Sequence, residues 1–145
     1  LGRYDEAEAI AERAVKAGRG LGDDSRLADA LFARARHHQA REALDLAAQG
    51  YEECRVLLRR QGDERRLPYC LINLAAIDQA RHDLPAAQSR FEEALALLGE
   101  RGPPVKRAHA LGGLGLVAYE RQDLVEARAH LEEALALLEA HGADR

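Results

Sequence analysis

The sequence predicts an all-α solenoid, a right-handed α-α superhelix of seven antiparallel helices, and three observations support this prediction. The residues Glu92–Leu98 recur unchanged as Glu132–Leu138, and the same offset of forty residues runs through the chain without insertion or deletion. A fixed period of this size is typical of structural repeats that stack on their neighbours. Hydrophobic residues make up 47% of the chain but aromatic residues only 4%, and this bias towards Ala and Leu favours close-packed helices. No segment shows the alternation with a period of two that indicates a half-buried strand.

Each predicted helix has apolar residues at intervals of three and four, which places them on one face. In the second helix this inward face comprises Leu27, Leu31, Ala35 and His38. The short connections between helices make sequential neighbours antiparallel. The predicted helices cover residues 3–20, 24–41, 44–61, 64–81, 84–98, 105–121 and 124–141.

Turn-forming residues mark most of the junctions between these helices. Gly22–Asp23, Gly62–Asp63 and His82–Asp83 are typical turn pairs, and Gly102–Pro104 is the sharpest break in the chain. The junction at Glu42–Ala43 has no turn former, yet the repeat requires a reversal there, and the sequence leaves open whether that turn is regular.

Three glycines interrupt the predicted sixth helix, at Gly112, Gly113 and Gly115. Each costs about 1 kcal/mol relative to Ala in a helix interior. We expect the close approach of a neighbouring helix to compensate for this cost.

The repeat register divides the chain into one array with a half repeat at residues 1–23 and full repeats at residues 24–63, 64–103 and 104–145. Because the first repeat is half present and the chain does not begin with Met, we expect it to be a piece of a longer array.

The repeated residues resemble tetratricopeptide repeats, whose unit is a helix–turn–helix with a Leu-Gly pair followed by small and aromatic positions. The resemblance covers the whole chain, although the period of forty exceeds the family's usual thirty-four. HEAT and armadillo repeats have periods near forty but lack this pattern, so they rank second. The matching residues are Leu114–Gly115, Ala127, Leu131 and Ala134 in the last repeat, Leu74–Ala75, Ala87, Phe91 and Ala94 in the third, and Ala47, Tyr51 and Cys54 in the second.

The resemblance implies a non-catalytic module that binds proteins or peptides. The long repeats and the Glu-Glu-Ala-Leu-Ala-Leu-Leu helices are also similar to arrays in large bacterial regulators, such as LuxR-type or antibiotic-regulatory transcription factors. We therefore expect the chain to be the sensory or regulatory segment of such a regulator. The alternative is that it is a free-standing scaffold or assembly adaptor.

Several other functions are disfavoured by composition and motifs. We expect no catalytic residues, no cofactor and no metal site, because no motif with the required spacing falls in the structural context that it needs. The net charge of −4 argues against direct nucleic-acid binding, and helical-repeat RNA binding is the weakest alternative. No apolar run is long enough to cross a membrane, so we expect a cytoplasmic location. Cys54 and Cys70 are predicted to be reduced structural thiols.

The resemblance also implies that the first helix of each repeat lines a concave groove for a peptide or helix. Asn73 falls where peptide-binding members often have an Asn that bonds a ligand backbone. The Lys and Arg that chaperone-docking members carry are replaced by His109 and Gly113, which disfavours recognition of a C-terminal carboxylate. The predicted groove residues are Asp29, Phe32, Arg36, Gln39, Tyr69, Ile72, Asn73, Gln79, His109, Leu116 and Tyr119.

The last helix has no following repeat in this sequence to cover it. We expect its apolar residues Leu131, Leu135 and Leu138 to be exposed and to mediate self-association into a homo-oligomer.

Overall fold

In a computed structural model that describes residues 2–143, the chain forms helices joined by short turns. The all-α fold class predicted from the sequence is confirmed, since residues 2–143 contain seven α-helices and no strand. The helices are α1 (Gly2–Leu21), α2 (Asp24–Ala40), α3 (Leu44–Gln61), α4 (Leu67–Ala80), α5 (Leu84–Leu98), α6 (Pro104–Glu120) and α7 (Leu124–Ala143). They fall into two compact units, the first containing α1–α3 up to Arg66 and the second containing α4–α7 from Leu67.

Five of the helices end in the same type of turn, in which a single residue adopts the left-handed conformation. At the end of α2 this residue is Glu42 (φ 59°), and the Ala43 N–H donates to the His38 carbonyl over 2.9 Å. His82 and Gln122 adopt the same conformation at the ends of α4 and α6, and Gly22 and Gly62 do so after α1 and α3. The turn near Glu42–Ala43 is therefore regular. This geometry needs one residue in the left-handed conformation, and that residue does not have to be glycine.

The α2–α3 junction differs from its equivalents in the cap of the following helix. Asp83 precedes α5 with φ −83° and ψ 72°, and its carboxylate accepts a hydrogen bond from the Ala86 N–H. Asp123 does the same for the Glu126 N–H before α7. Ala43 precedes α3 with nearly the same angles, φ −79° and ψ 66°, but has no side chain that can accept this bond.

The fourth helix begins three residues later than the predicted start at Glu64, and Pro68 explains the difference. Proline lacks the N–H that would donate to the carbonyl of Glu64 in a regular helix. Residues 64–66 therefore form a turn, which Asp63 stabilises by accepting a hydrogen bond from the Arg66 N–H over 3.0 Å.

The first unit packs around Tyr51, which is fully buried between α2 and α3. The Tyr51 hydroxyl donates to Gln39 Oε1 over 2.8 Å, and the Phe32 ring meets the Tyr51 ring edge-on with centroids 5.4 Å apart. The predicted inward face of α2 is confirmed, because Leu27, Leu31, Ala35 and His38 are all buried. Both cysteines are buried thiols, and the Cys54 thiol donates to the Ala28 carbonyl over 3.3 Å.

The second unit has a core in which α6 packs on α4 and α5. The buried residues of this cluster are Ala75, Ala87, Phe91, Ala110, Leu114 and Val117. The compensation expected for the glycines of α6 is present at two of the three positions. A Cβ at Gly113 would lie 2.2 Å from Phe91 Cζ, and a Cβ at Gly115 would lie 2.7 Å from Leu131 Cγ. The expectation was wrong for Gly112, where a Cβ would meet no atom within 4 Å.

We predict that Ala43→Asp raises the free energy of unfolding by about 1 kcal/mol, because Asp at this position can cap α3 as Asp83 caps α5. Urea denaturation followed by circular dichroism measures the change. As the matched control, Asp83→Ala should lower the free energy by a similar amount. A destabilised Ala43→Asp variant would show that the two junctions are not equivalent.

We predict opposite effects for two adjacent glycines of α6. Gly113→Ala should lower the free energy of unfolding by about 1–3 kcal/mol, because the new methyl group collides with the Phe91 ring. Gly112→Ala should raise it by about 1 kcal/mol, because alanine favours the helix and the site is open. Thermal and urea unfolding of both variants test this, and equal effects would contradict the close approach of α5 and α6.

Candidate functional site

The predicted groove residues of the second unit lie on two neighbouring helices that run in the same direction. Near the start of both helices, the Lys106 ammonium of α6 lies 4.9 Å from the centroid of the Tyr69 ring of α4. Near the end of both, Gln79 Nε2 donates to Glu120 Oε1 over 2.8 Å. Contacts at both ends make α4 and α6 parallel neighbours, and the exposed faces between these contacts form one surface.

This α4–α6 surface, defined by its seven predicted groove residues, is apolar in its middle and polar at its ends. On α6, Leu116 and Tyr119 are large exposed hydrophobic residues, and His109 is exposed on the same helical face. On α4, Ile72 is half-buried and packs against the core cluster. The members of the surface are Tyr69, Ile72, Asn73 and Gln79 from α4, and His109, Leu116 and Tyr119 from α6.

The middle of the surface is also recessed on α6, because one residue there has no side chain. Gly112 lies between His109 and Leu116 on the same face of α6 and has open space above it. On α4, the exposed Ala76 lies between Asn73 and Gln79 on the same face, one helical turn further along than the level of Gly112. A ligand can therefore approach the backbone of α6 at Gly112.

Asn73 is partly engaged inside its own helix. Its Nδ2 donates to the Tyr69 carbonyl over 2.9 Å, a contact one helical turn back along α4. The side chain is half-buried. Hydrogen bonding of Asn73 to a ligand backbone stays a prediction.

The groove residues predicted in the first unit mostly make contacts within that unit. Phe32 and Gln39 hold the buried Tyr51 ring and hydroxyl, as described above. The Asp29 carboxylate accepts a hydrogen bond from Arg66 Nη1 over 2.6 Å. Arg36 is exposed on α2. Their role in binding stays a prediction.

Sequence reasoning missed two basic residues that contact the predicted groove positions. Lys106 stacks on Tyr69, and Arg66 pairs with Asp29. Each basic residue follows its partner by 37 residues, so the two contacts are repeat equivalents. This spacing is three residues shorter than the repeat period of forty. A search of the sequence for basic residues about 37 positions after each predicted groove residue could have found both.

Arg66 also forms an ion pair with Asp63, three residues earlier in the chain. Arg66 Nε donates to Asp63 Oδ2 over 2.6 Å. Burial raises the pKa of the Asp63 carboxyl, but the hydrogen bonds and charge of Arg66 outweigh it and hold that pKa below its ordinary value. The hydrogen bond to Asp63 raises the pKa of Arg66 in turn.

The expected end-helix residues of α7 are exposed. Leu131, Leu135 and Leu138 all present side chains at the surface, and Leu131 and Leu135 line an open cleft between α6 and α7. Tyr119 borders the same cleft, so this residue joins the α4–α6 surface to the cleft. Self-association through these residues stays a prediction.

Two further properties of residues 2–143 bear on function. No group of three or more His, Cys, Asp or Glu side chains within this range is placed to hold a metal ion. Within the same range, no helix has both the length and the apolar character needed to cross a bilayer.

Comparison with known proteins supports the repeat type. A family model described as tetratricopeptide repeat matches residues 69–140. Repeats of this family generally mediate protein–protein interaction and are generally non-catalytic. A search of curated proteins found no match to the chain.

Solved structures show the same fold. In all, 31 chains match, among them the crystal structure of BtubC (BKLC) from P. vanneervenii, with a TM-score of 0.85 and 24% sequence identity. The alignment covers 97% of this chain but 59% of the BtubC chain, so this chain spans less than two thirds of that protein. At this identity the likeness shows the fold alone, an all-α helical arrangement.

We predict that the Asp63–Arg66 contact makes stability depend on pH. Because the pKa of Asp63 is lower in the folded chain, the unfolded chain binds more protons as the pH falls below about 4, and the stabilisation is lost there. Asp63→Asn keeps a capping side chain but removes the charge, and should cost about 0.5–1 kcal/mol at pH 7. Urea unfolding of both proteins between pH 3 and pH 7 should show this difference shrinking with acid. A difference independent of pH would contradict the assignment.

Proposed function

We propose that the chain is a non-catalytic protein-interaction module that binds a peptide or helix on the α4–α6 surface. The observation that carries the proposal is the exposure of two large apolar side chains, Tyr119 at 62% and Leu116 at 49%, on a helical face that adjoins polar groups. Exposed apolar side chains gathered on one surface are typical of binding sites rather than of solvated helix faces. The match to a repeat family that generally mediates protein–protein interaction supports the same function.

The charges at the two ends of the surface define the ligand that fits it. Lys106 and His109 place basic groups beside the start of α6, and Glu120 places a carboxylate at its end. The eleven residues from Tyr69 to Gln79 span about 15 Å along α4, a distance that four or five extended residues can cover. We expect a ligand with an acidic residue near Lys106, an apolar residue on Leu116 and a basic residue near Glu120.

The biological setting of the module rests on the sequence resemblance. A segment of a bacterial transcriptional regulator in the cytoplasm is our first proposal, supported by the long repeats and their characteristic second helices. A free-standing scaffold or assembly adaptor is the alternative. Flanking nucleotide-binding or DNA-binding domains in the full-length gene would favour the regulator.

We predict that peptides selected for binding to this protein from a displayed random library lose affinity when the α4–α6 surface is changed. Tyr69→Ala combined with Leu116→Ser should weaken binding by about ten-fold or more, because both removed groups are apolar anchors. Val56→Ser on α3 is the matched control, since Val56 is 44% exposed but lies outside the surface. Fluorescence anisotropy with the selected peptides measures each affinity.

Circular dichroism and thermal unfolding establish that the variants remain folded. Selected peptides that bind the double variant as tightly as the unchanged protein would contradict the proposal.

A further inference from the structure

A cavity of about 340 Å³ lies within the first unit, between α1 and α3. Its walls come from these two helices, and Arg34 and His38 of α2 form its floor. The Arg19 side chain of α1 donates to the Glu53 carboxylate of α3, and this contact closes one end of the cavity. Small-molecule sites have volumes of about 300–1,000 Å³. The cavity therefore has the size and the enclosure of a site for a small molecule.

The floor of this cavity contains a charged residue where the other repeats have leucine. Arg34 is forty residues before Leu74 and eighty before Leu114, and both leucines are buried in the second unit. A partly buried guanidinium costs free energy that a leucine at the same position does not. Departures from a protein's own pattern that lower stability are typical of functional sites. The exchange of leucine for Arg34 therefore indicates that this floor binds a polar group.

Arg34 retains N–H donors that can bind a ligand. Its side chain is 16% exposed, and its Nη1 donates to both carboxylate oxygens of Glu12 over 3.2 Å. Close charge-assisted hydrogen bonds are shorter, at about 2.7–2.9 Å. Among the side chains that the structure describes, Glu12 is the one that accepts from Arg34. The Nε and Nη2 donors remain available, and this edge of a guanidinium matches a carboxylate with two parallel hydrogen bonds.

His38 is the second polar group of the floor and is 7% exposed. Its equivalent in the next repeat, Asp78, forms an ion pair with Arg90 over 2.9 Å. The His38 ring meets the His37 ring edge-on, but it has no hydrogen bond to any side chain that the structure describes. Burial lowers the pKa of His38, although Glu8 opposes this shift, so the imidazole is neutral at pH 7. It then offers one donor and one acceptor to a ligand.

The walls of the cavity present carboxylates. Glu8 of α1 accepts from Arg41 Nη1 over 2.9 Å, and Glu53 of α3 accepts from Arg19. An ionised carboxylate has about four lone-pair sites, so each can also accept from a ligand ammonium group. A simple anion would be repelled by these carboxylates, and a simple cation would be repelled by the guanidinium of Arg34. The charges of the cavity therefore fit a ligand that carries both signs.

We propose that this cavity binds a free α-amino acid with an aliphatic side chain. The ligand carboxylate accepts from Arg34 and His38 on the floor, and the ligand ammonium group donates to the wall carboxylates. The aliphatic side chain packs on Leu46, which lines the cavity from α3 and is 51% exposed. This proposal goes beyond the proposed function, because it adds a small-molecule site in the first unit to the peptide surface of the second.

The probe is L-leucine, titrated into the unchanged protein at pH 7 by isothermal calorimetry. We expect saturable binding with a dissociation constant of about 1 mM or lower. N-acetyl-L-leucine and L-leucinamide each lack one of the two charges, and both should bind about ten-fold or more weakly. Glycine lacks the aliphatic side chain and should also bind about ten-fold more weakly. The proposal is overturned if L-leucine does not bind at up to about 10 mM, or if any of the three analogues binds as tightly.

Arg34→Leu separates a binding role from a structural one, because it restores the residue of the other repeats. It should weaken L-leucine binding by about ten-fold or more. The unfolding temperature should stay the same or rise, since leucine occupies the equivalent buried positions and the remaining Glu12 side chain is 55% exposed. Arg26→Leu is the matched control on the same helix and should bind L-leucine normally, because the Arg26 side chain is 75% exposed and lies outside the cavity. Unchanged affinity of Arg34→Leu, or equal loss in both variants, would overturn the proposal.

Two further variants keep the test decisive if Arg34→Leu does not fold. Arg34→Lys keeps a positive charge beside Glu12 but removes the paired donors, and should weaken L-leucine binding about five-fold or more. His38→Ala places on the floor the residue of Ala118 and should have an effect of similar size. Circular dichroism establishes that both variants are folded. Unchanged affinity for L-leucine in either folded variant would overturn the proposal.

Discussion

The second unit depends on the close approach of α5 and α6, where the ring of Phe91 occupies the space that a side chain at residue 113 would need. Glycine at this position lets the two helices pack directly, and Ala110, Leu114 and Val117 then complete the buried cluster. The same contact sets the position of α6 beside α4. The parallel pair that results brings Lys106 to Tyr69 and Glu120 to Gln79, and leaves the face between them open to a ligand.

The two copies of the Glu-Glu-Ala-Leu-Ala-Leu-Leu sequence show how context decides the role of identical residues. In α5 this segment is covered by α6, and in α7 the same letters present Leu135 and Leu138 at the surface. Local sequence therefore sets which face of the helix is apolar, whereas the neighbouring helix sets whether that face becomes core or binding surface. The core beside α5 and the cleft on α7 are formed by equivalent residues. The face of α5 is covered by α6, whereas no helix of residues 2–143 covers the face of α7.

Most of the fold could be predicted, because a three- and four-residue apolar period and a forty-residue repeat both report on backbone geometry. The prediction held even at Glu42–Ala43, where the local residues carry no turn signal, because the left-handed turn tolerates Glu42. It misplaced the start of α4, where Pro68 removes a helical hydrogen bond. The candidate site was harder to predict, since the Lys106–Tyr69 and Arg66–Asp29 contacts join a residue of one first helix to a residue at or just before the start of the next, at a spacing that differs from the period. Such contacts depend on the stagger between helices, which the pattern within one helix does not report.

The central claim is that α7 is a second α5 that no helix of residues 2–143 covers, and native-state hydrogen exchange tests it most directly. Amides of α5 are packed between α4 and α6, so the account predicts that they exchange with a larger opening free energy than the equivalent amides of α7 forty residues later. Equal protection of the two helices in the chain alone would contradict the claim.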